Sequence, residues 1–193
     1  MRTFVAVPLP ETFVRWLDNF KALNPLLNGC TRFVPSASCH MTIRFLGDVN
    51  DLCVQELADR FSKVLAETAV TRIVLDTTGI FYRNGQPAIL WFGPRQVPRE
   101  LLSAVERVEK ALIGFHCSAR SERFTPHVTI GRFTHLCPQE AISGISECKI
   151  APFVVPVREF VVFESILGQG QPVYVRRSQV KLRGLLNRET ELY

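Results

Sequence analysis

Residues 40–45 read HMTIRF, and residues 127–133 return almost the same pattern as HVTIGRF. Each stretch is rich in β-branched and aromatic residues, so each predicts a β-strand. Self-similarity of this kind indicates a chain built from two related halves. We therefore expect two similar strand–helix lobes that face each other, with one copy of the motif in each.

Both motifs place a histidine two residues before a threonine. Side chains alternate between the two faces of a strand, so His40 and Thr42 project to one face, and His127 and Thr129 do the same in the second copy. The residues between them are apolar and can be buried. If a pseudo-twofold relates the lobes, the two His/Thr pairs can meet across one cleft.

Two imidazoles and two hydroxyls suit an in-line displacement at a phosphodiester. One neutral imidazole takes a proton from an attacking water, while the other, as imidazolium, protonates the departing ribose oxygen. Histidine fits both roles because its ordinary pKa of about 6.5 leaves both forms accessible near neutrality. The hydroxyls of Thr42 and Thr129 can hydrogen-bond the non-bridging phosphate oxygens. This chemistry needs no metal and no other cofactor.

Strands and helices alternate outward from these motifs. The predicted strands cover residues 2–9, 39–46, 73–77, 88–92, 128–133, 160–163 and 173–182. The predicted helices open at Pro10-Glu11, at Asn50 as N-cap, and at Pro98, the last ending near Gly114. Turns are expected at Arg83-Asn84-Gly85 and at residues 168–170. No linker or change in composition divides the chain, so we expect a single domain over residues 1–193.

Composition limits the classes of partner and the location of the protein. The chain has 193 residues and a formal net charge of +5, which favours polyanionic partners, although the basic residues are scattered. No stretch approaches the ~18 consecutive apolar residues that span a bilayer, and Pro8 interrupts the start of the chain too early for a signal peptide. We expect a cytoplasmic protein that does not bind membranes. In the absence of a heptad pattern, a monomer is expected.

The cysteines are expected to be reduced thiols, because a cytoplasmic chain of this size does not depend on disulfides. They are Cys30, Cys39, Cys53, Cys117, Cys137 and Cys148. Their spacing contains no C-x-x-C pair, which argues against a structural zinc site.

At the two motifs the sequence resembles the 2H phosphoesterase superfamily, and within it the RNA 2′,3′-cyclic phosphodiesterases, also called 2′-5′ RNA ligases. The likeness extends to residues 2–10, 40–49, 90–93, 126–132 and 160–170, ahead of Tyr174. It implies an α+β fold in which two pseudo-symmetric lobes enclose a central cleft. It also implies opening of RNA 2′,3′-cyclic phosphate ends to 2′-phosphomonoesters, with His40 as proton donor and His127 as proton acceptor. Thr42 and Thr129 would contact the phosphate.

Four more residues are candidates for substrate binding. The resemblance implies that Arg132 contacts a base or the phosphate through its planar cation, although strict alternation turns it away from the face of His127. Alternation favours the cleft face for Arg44. Phe45 and Phe124 offer stacking surface, since every base has a π-face, and burial in the core is the alternative for both.

Three alternatives remain open at this point. A module that only binds nucleotides could use the same cleft, although binding alone does not need two proton-transfer groups. A cysteine hydrolase could use Cys39 or Cys117 beside a histidine. RNA ligation is the reverse chemistry in the same site, with a 5′-hydroxyl in place of water.

Overall fold

The computed structural model describes residues 1–66, 68–118, 123–134, 137–147, 150–168 and 171–182. In these residues the elements are β1 (Arg2–Pro8), α1 (Thr12–Leu23), α2 (Pro25–Asn28), β2 (Thr31–Phe33), a 3-10 turn (Ser36–Ser38), β3 (His40–Asp48), α3 (Asp51–Leu65), β4 (Thr71–Leu75), β5 (Thr77–Arg83), β6 (Gln86–Gly93), α4 (Arg99–Ala111), β7 (Val128–Phe133), α5 (Gln139–Glu147), β8 (Phe153–Val157), β9 (Glu159–Ile166) and β10 (Val173–Lys181). No helix in this part of the chain is long and apolar enough to cross a membrane.

The two histidine motifs form the middle of the main sheet. Its antiparallel strands run in the order β10-β9-β1-β3-β7-β6-β5, with β2 beside β7. The motif strands β3 and β7 are neighbours, paired through Met41 and Val128. The sheet therefore has two halves that join at the motifs, and the α+β fold with two similar lobes is confirmed.

Helices cover the apolar faces of both halves. From α1, Phe13 and Leu17 are fully buried, and the Phe20 ring packs edge-on against Phe92 of β6 at 4.8 Å. Burial of such a side chain stabilises the fold by roughly 1.5–3 kcal/mol. α3 begins as predicted, because the Asn50 side chain accepts the Cys53 N–H at 2.8 Å and caps the helix. α1 thus packs on β6, the neighbour of motif strand β7, and α3 begins shortly after motif strand β3.

The predicted strand over residues 73–77 is wrong as a single element. Ile73 belongs to β4, which pairs with β8 in a separate two-stranded sheet, whereas Thr77 opens β5 of the main sheet. The break falls at Asp76, whose N–H donates to Gly93 O at 3.1 Å and whose carboxylate accepts Arg95 N–H at 2.7 Å. These two bonds turn the chain from one sheet into the other.

The hairpin turn between β5 and β6 is confirmed. Asn84 and Gly85 have φ values of 52° and 75°, the left-handed pair that a two-residue hairpin needs. The second predicted turn includes residues 169 and 170, which lie outside the described residues. Sequence patterns gave no prediction of α2, β2, α5 or β8.

The expectation that all cysteines are reduced is wrong for one pair. Cys30 and Cys137 form a disulfide with their Cα atoms 4.5 Å apart. They meet because Thr134 donates both its N–H and its hydroxyl to Cys30 O, at 2.8 and 3.1 Å, which ties the start of β2 to the end of β7. Cys39, Cys53 and Cys117 are free thiols, and Cys148 lies outside the described residues.

Candidate active site

The two His/Thr pairs line one cleft. His40 and Thr42 from β3, with His127 just before β7 and Thr129 within it, face a cavity of about 290 Å³ at the junction of the two half-sheets. This volume is near the lower limit of the range for small-molecule sites. The structure thus brings together two His/Thr pairs that are far apart in the sequence.

Both histidine rings are held in the same way. Nδ1 of His40 lies 2.9 Å from Ser38 O, and Nδ1 of His127 lies 2.8 Å from Thr125 O, so each ring bonds the carbonyl two residues earlier. A carbonyl oxygen can only accept, so Nδ1 of each ring carries the proton. In the neutral ring Nε2 is then a proton acceptor, and in the charged ring it is a donor. Either histidine is therefore able to serve as base or as acid.

Aromatic side chains pack against each imidazole. Phe4 stacks on the ring of His40 at 4.8 Å, and Tyr174 meets the same ring edge-on at 4.9 Å. Phe81 meets the ring of His127 edge-on at 4.8 Å. These contacts limit rotation of the rings and shield them from water.

Burial sets the acid strength of the pair. It lowers the pKa of His40 below its ordinary value of 6.5, the hydrogen bond to Ser38 O offsets part of this effect, and the charge of His127 lowers the pKa further. Burial also lowers the pKa of His127, with a partial offset from the bond to Thr125 O. Repulsion between the rings disfavours the state with both charged. The state with one charge is the one that acid–base catalysis requires.

A β-bulge in β3 corrects the prediction for Arg44. Ala6 of β1 pairs with Thr42, but Val5 pairs with Arg44, so one extra residue stands between them and the alternation reverses. Arg44 is only 7% exposed, donates to Ser118 O at 2.6 Å and pairs with Glu109 at 3.2 Å. Arg44 therefore faces away from the cleft, and the prediction that it lines the cleft is wrong.

The same bulge turns Phe45 toward the cleft. Its side chain lines the cavity and is 58% exposed, so it is not a core residue. Phe124, by contrast, is half-buried against the hydrophobic core and is not among the residues that line the cleft.

A matching bulge in β7 brings Arg132 into the cleft. Leu90 of β6 pairs with Gly131, whereas Trp91 pairs with Thr129, so the alternation reverses here as it does in β3. Gly131 allows this close approach, since a Cβ at that position would clash with the side chain of Thr31. Arg132 lines the cavity, and strict alternation gave the wrong face for it. Counted from the two histidines, Phe45 and Arg132 occupy equivalent positions.

Residues 11–168 match the family model of the 2′-5′ RNA ligase superfamily. The chain belongs to this family. The resemblance seen in the sequence is confirmed at this level.

Similar proteins cover nearly the whole chain. It is 27% identical over 177 residues to the RNA 2′,3′-cyclic phosphodiesterase of Thermotoga maritima, covering 90% of this chain and 91% of that one. It is also 27% identical, over 179 residues, to the protein of the same name from Archaeoglobus fulgidus, covering 90% and 96% of the two chains.

Solved structures show the same fold. TT0787 of Thermus thermophilus superposes with a TM-score of 0.78 at 23% identity, covering 95% of this chain and 99% of that chain. E. coli LigT in complex with 3′-AMP gives 0.75 at 22% identity, with coverage of 94% and 97%.

Tyr174 is a cleft residue to which sequence reasoning gave no role. It reaches the cavity from β10, at the far edge of the sheet, and sits against His40. Burial raises the pKa of Tyr174, while the charges of Arg132 and Arg2, which line the same cavity, lower it. The resemblance to the family had included Tyr174 in its pattern, and this was the only signal for it in the sequence.

Cys39 does not behave as a nucleophile. Its side chain is 5% exposed and packs in the main hydrophobic core, with Sγ 3.7 Å from Thr129 O. Burial raises the pKa of its thiol to about 12, so the thiolate is not formed near neutrality. Cys117 is half-buried and is not among the residues that line the cleft. These features disfavour a cysteine hydrolase.

Among the described residues, no group of three or more His, Cys, Asp or Glu side chains gathers where it could hold a metal ion.

Proposed function

We propose that this protein hydrolyses RNA 2′,3′-cyclic phosphate ends to 2′-phosphomonoesters by metal-free two-histidine general acid–base catalysis. The carrying observation is the matched pair of imidazoles in one cleft, each with Nδ1 bonded to a carbonyl and a threonine hydroxyl beside it. The names of its relatives from Thermotoga maritima and Archaeoglobus fulgidus support the same activity. A cytoplasmic location remains a prediction.

His127 and His40 would act on opposite sides of phosphorus. Nε2 of neutral His127 takes a proton as the water oxygen bonds to phosphorus, and Nε2 of charged His40 gives a proton to the 3′ oxygen as its bond to phosphorus breaks. His127 ends charged and His40 ends neutral, and exchange with solvent restores the starting state. The resemblance to the family supplies the choice of His40 as donor and His127 as acceptor.

The remaining cleft residues would position the substrate. The hydroxyls of Thr42 and Thr129 bond the non-bridging oxygens, and the Arg132 guanidinium balances the charge that develops on them. Phe45, exposed on the opposite lobe, offers a stacking surface for the terminal base. A cation on one lobe and an aromatic ring on the other suit a nucleotide, which carries both a phosphate and a π-face.

Ligation fits the same site with a different nucleophile. The 5′-hydroxyl of a second RNA strand would take the place of water, give its proton to His127 and form a 2′-5′ bond. We expect hydrolysis to dominate because water needs no second binding site. A ligated product that accumulates faster than the 2′-phosphate would overturn this expectation.

Product analysis in a chelator tests the function directly. The protein is incubated with adenosine 2′,3′-cyclic phosphate in EDTA, and the phosphate position in the product is read by phosphorus NMR. We expect 2′-AMP alone. Binding of 2′-AMP without turnover of the cyclic phosphate would instead support a nucleotide-binding module, and a 3′-AMP product would contradict the choice of leaving oxygen.

A further inference from the structure

Two further cavities adjoin one another and the catalytic cleft on the side of His40. The first has a volume of about 530 Å³ and shares Ser38, His40 and Tyr174 with the cleft. The second has a volume of about 780 Å³ and shares Leu9 and Arg176 with the first. We refer to these two cavities together as the His40-side groove.

The groove adjoins only one of the two histidines. His40 forms part of its wall, whereas none of the described residues that line it comes from the second motif at residues 127–133. In an in-line displacement, the entering and departing oxygens stand on opposite sides of phosphorus, as in the proposed mechanism. The departing 3′ oxygen belongs to the terminal ribose, which also carries the rest of the RNA through its 5′ oxygen. If His40 protonates the 3′ oxygen, the body of the RNA lies on the side of the groove.

Cations are in excess along the far part of this groove. Arg176 pairs with Glu159 at 3.1 Å and lies over the ring of Phe163 at 5.9 Å. Arg158 and Lys181 are both exposed on the wall of the second cavity. With Glu159 matched by Arg176, these two side chains give the groove a net positive charge, as a path for phosphates requires.

We infer that the His40-side groove, through Arg158 and Lys181, binds the nucleotides upstream of the cyclic phosphate, and so raises kcat/KM for an RNA end above that for a free cyclic mononucleotide. This inference rests on the proposed function and on His40 as proton donor. Apolar groove residues such as Leu9 and Pro156 provide surface for riboses and bases between the phosphate contacts.

Substrate length and charge removal test this inference together. The ratio of kcat/KM for an RNA hexamer with a cyclic end to that for adenosine 2′,3′-cyclic phosphate is measured in EDTA for the wild type and two double variants. Arg158→Gln/Lys181→Gln removes the two groove cations that no groove carboxylate matches, and leaves Arg176 paired with Glu159. Lys63→Gln/Arg107→Gln removes the same kinds of charge from a separate basic depression between α3 and α4. All four side chains are exposed, so the variants are expected to fold, which equal melting temperatures would verify.

We expect the wild type to have a higher kcat/KM for the hexamer than for the mononucleotide. The groove variant should lose roughly tenfold of this ratio, since it lacks two exposed ion pairs that contribute up to about fivefold each. In the groove variant, the slope of log kcat/KM for the hexamer against log salt concentration should also become shallower by about 1.4, or about 0.7 for each lost phosphate contact. The control variant should keep the wild-type ratio. Equal kcat/KM for both substrates, or equal losses in the two variants, would overturn the inference and leave the proposed function intact.

Two other outcomes are also decisive. If the groove variant slows ligation of a separate 5′-hydroxyl strand but leaves hexamer hydrolysis unchanged, the groove holds the entering strand and the inference is wrong. If neither cyclic substrate turns over, the proposed function fails. Fluorescence anisotropy then compares the affinity for a 2′-phosphorylated hexamer with that for 2′-AMP. Tighter binding of the hexamer would show that the groove still binds RNA, and equal affinities would reject the groove as an RNA site.

Discussion

Replacement of Arg132 tests whether the bulge in β7 serves substrate binding. In Arg132→Met the cleft loses the cation that the reversed alternation brings beside His127 and Thr129. A hydrogen bond to a charged group contributes about 1.5–3 kcal/mol, or roughly 10- to 150-fold in kcat/KM. Arg132 is exposed in the free protein, so solvent screens its charge and the lower end applies. We expect about a tenfold loss.

The assay is the initial rate of adenosine 2′,3′-cyclic phosphate hydrolysis, with Arg15→Met on the exposed face of α1 as the matched control. Arg132→Lys should fall between the wild type and Arg132→Met, because it keeps the charge but loses the two-pronged contact. A second readout needs no substrate. The charge of Arg132 lowers the pKa of Tyr174, so Arg132→Met should raise it in an ultraviolet titration. An unchanged kcat/KM, or an equal loss in Arg15→Met, would refute the reasoning.

Three other predictions concern pH, stability and metal. Burial lowers the pKa of both His127 and His40 below the ordinary value of about 6.5. With increasing pH, kcat/KM should rise as His127 loses its proton and fall as His40 loses its own, and both changes lie below about pH 6.5. kcat/KM should therefore decrease from pH 6.5 to 8, and a flat profile from pH 5 to 9 would count against the acid–base pair. Arg44→Met should lower the free energy of unfolding by about 1–3 kcal/mol, because the partly buried ion pair with Glu109 is lost, while kcat/KM stays within about twofold. Urea denaturation measures the free energy, and normal stability with lost turnover would contradict this prediction. Full activity is expected in EDTA, and a loss that zinc or magnesium restores would remove the metal-free mechanism.

Local patterns were sufficient to predict the central strands and the main chemical groups. The repeated His-x-Thr spacing placed His40 and His127 in one cleft, because an internal repeat predicts symmetry. The Asn50 cap and the Asn84-Gly85 turn were also predictable, since each depends on a few neighbouring residues.

Features that depend on distant partners were not predictable. The bulges that send Arg44 to the core and Arg132 to the cleft arise from pairing with β1 and β6, which no period-two pattern contains. Tyr174 reaches His40 from another strand, and the contact between Cys30 and Cys137 forms only when β2 and β7 pair. A family resemblance indicated Arg132 where alternation failed.

The central claim is that His40 and His127 together open an RNA cyclic phosphate. The most direct measurement is hydrolysis of an RNA oligonucleotide with a 2′,3′-cyclic end, in EDTA, by the wild type, His40→Ala, His127→Ala and the control His116→Ala, whose histidine is exposed outside the cleft. We predict a 2′-phosphate product, a loss of at least about 10²-fold in each cleft variant, and no change in His116→Ala. Turnover that persists in either cleft variant would contradict the account.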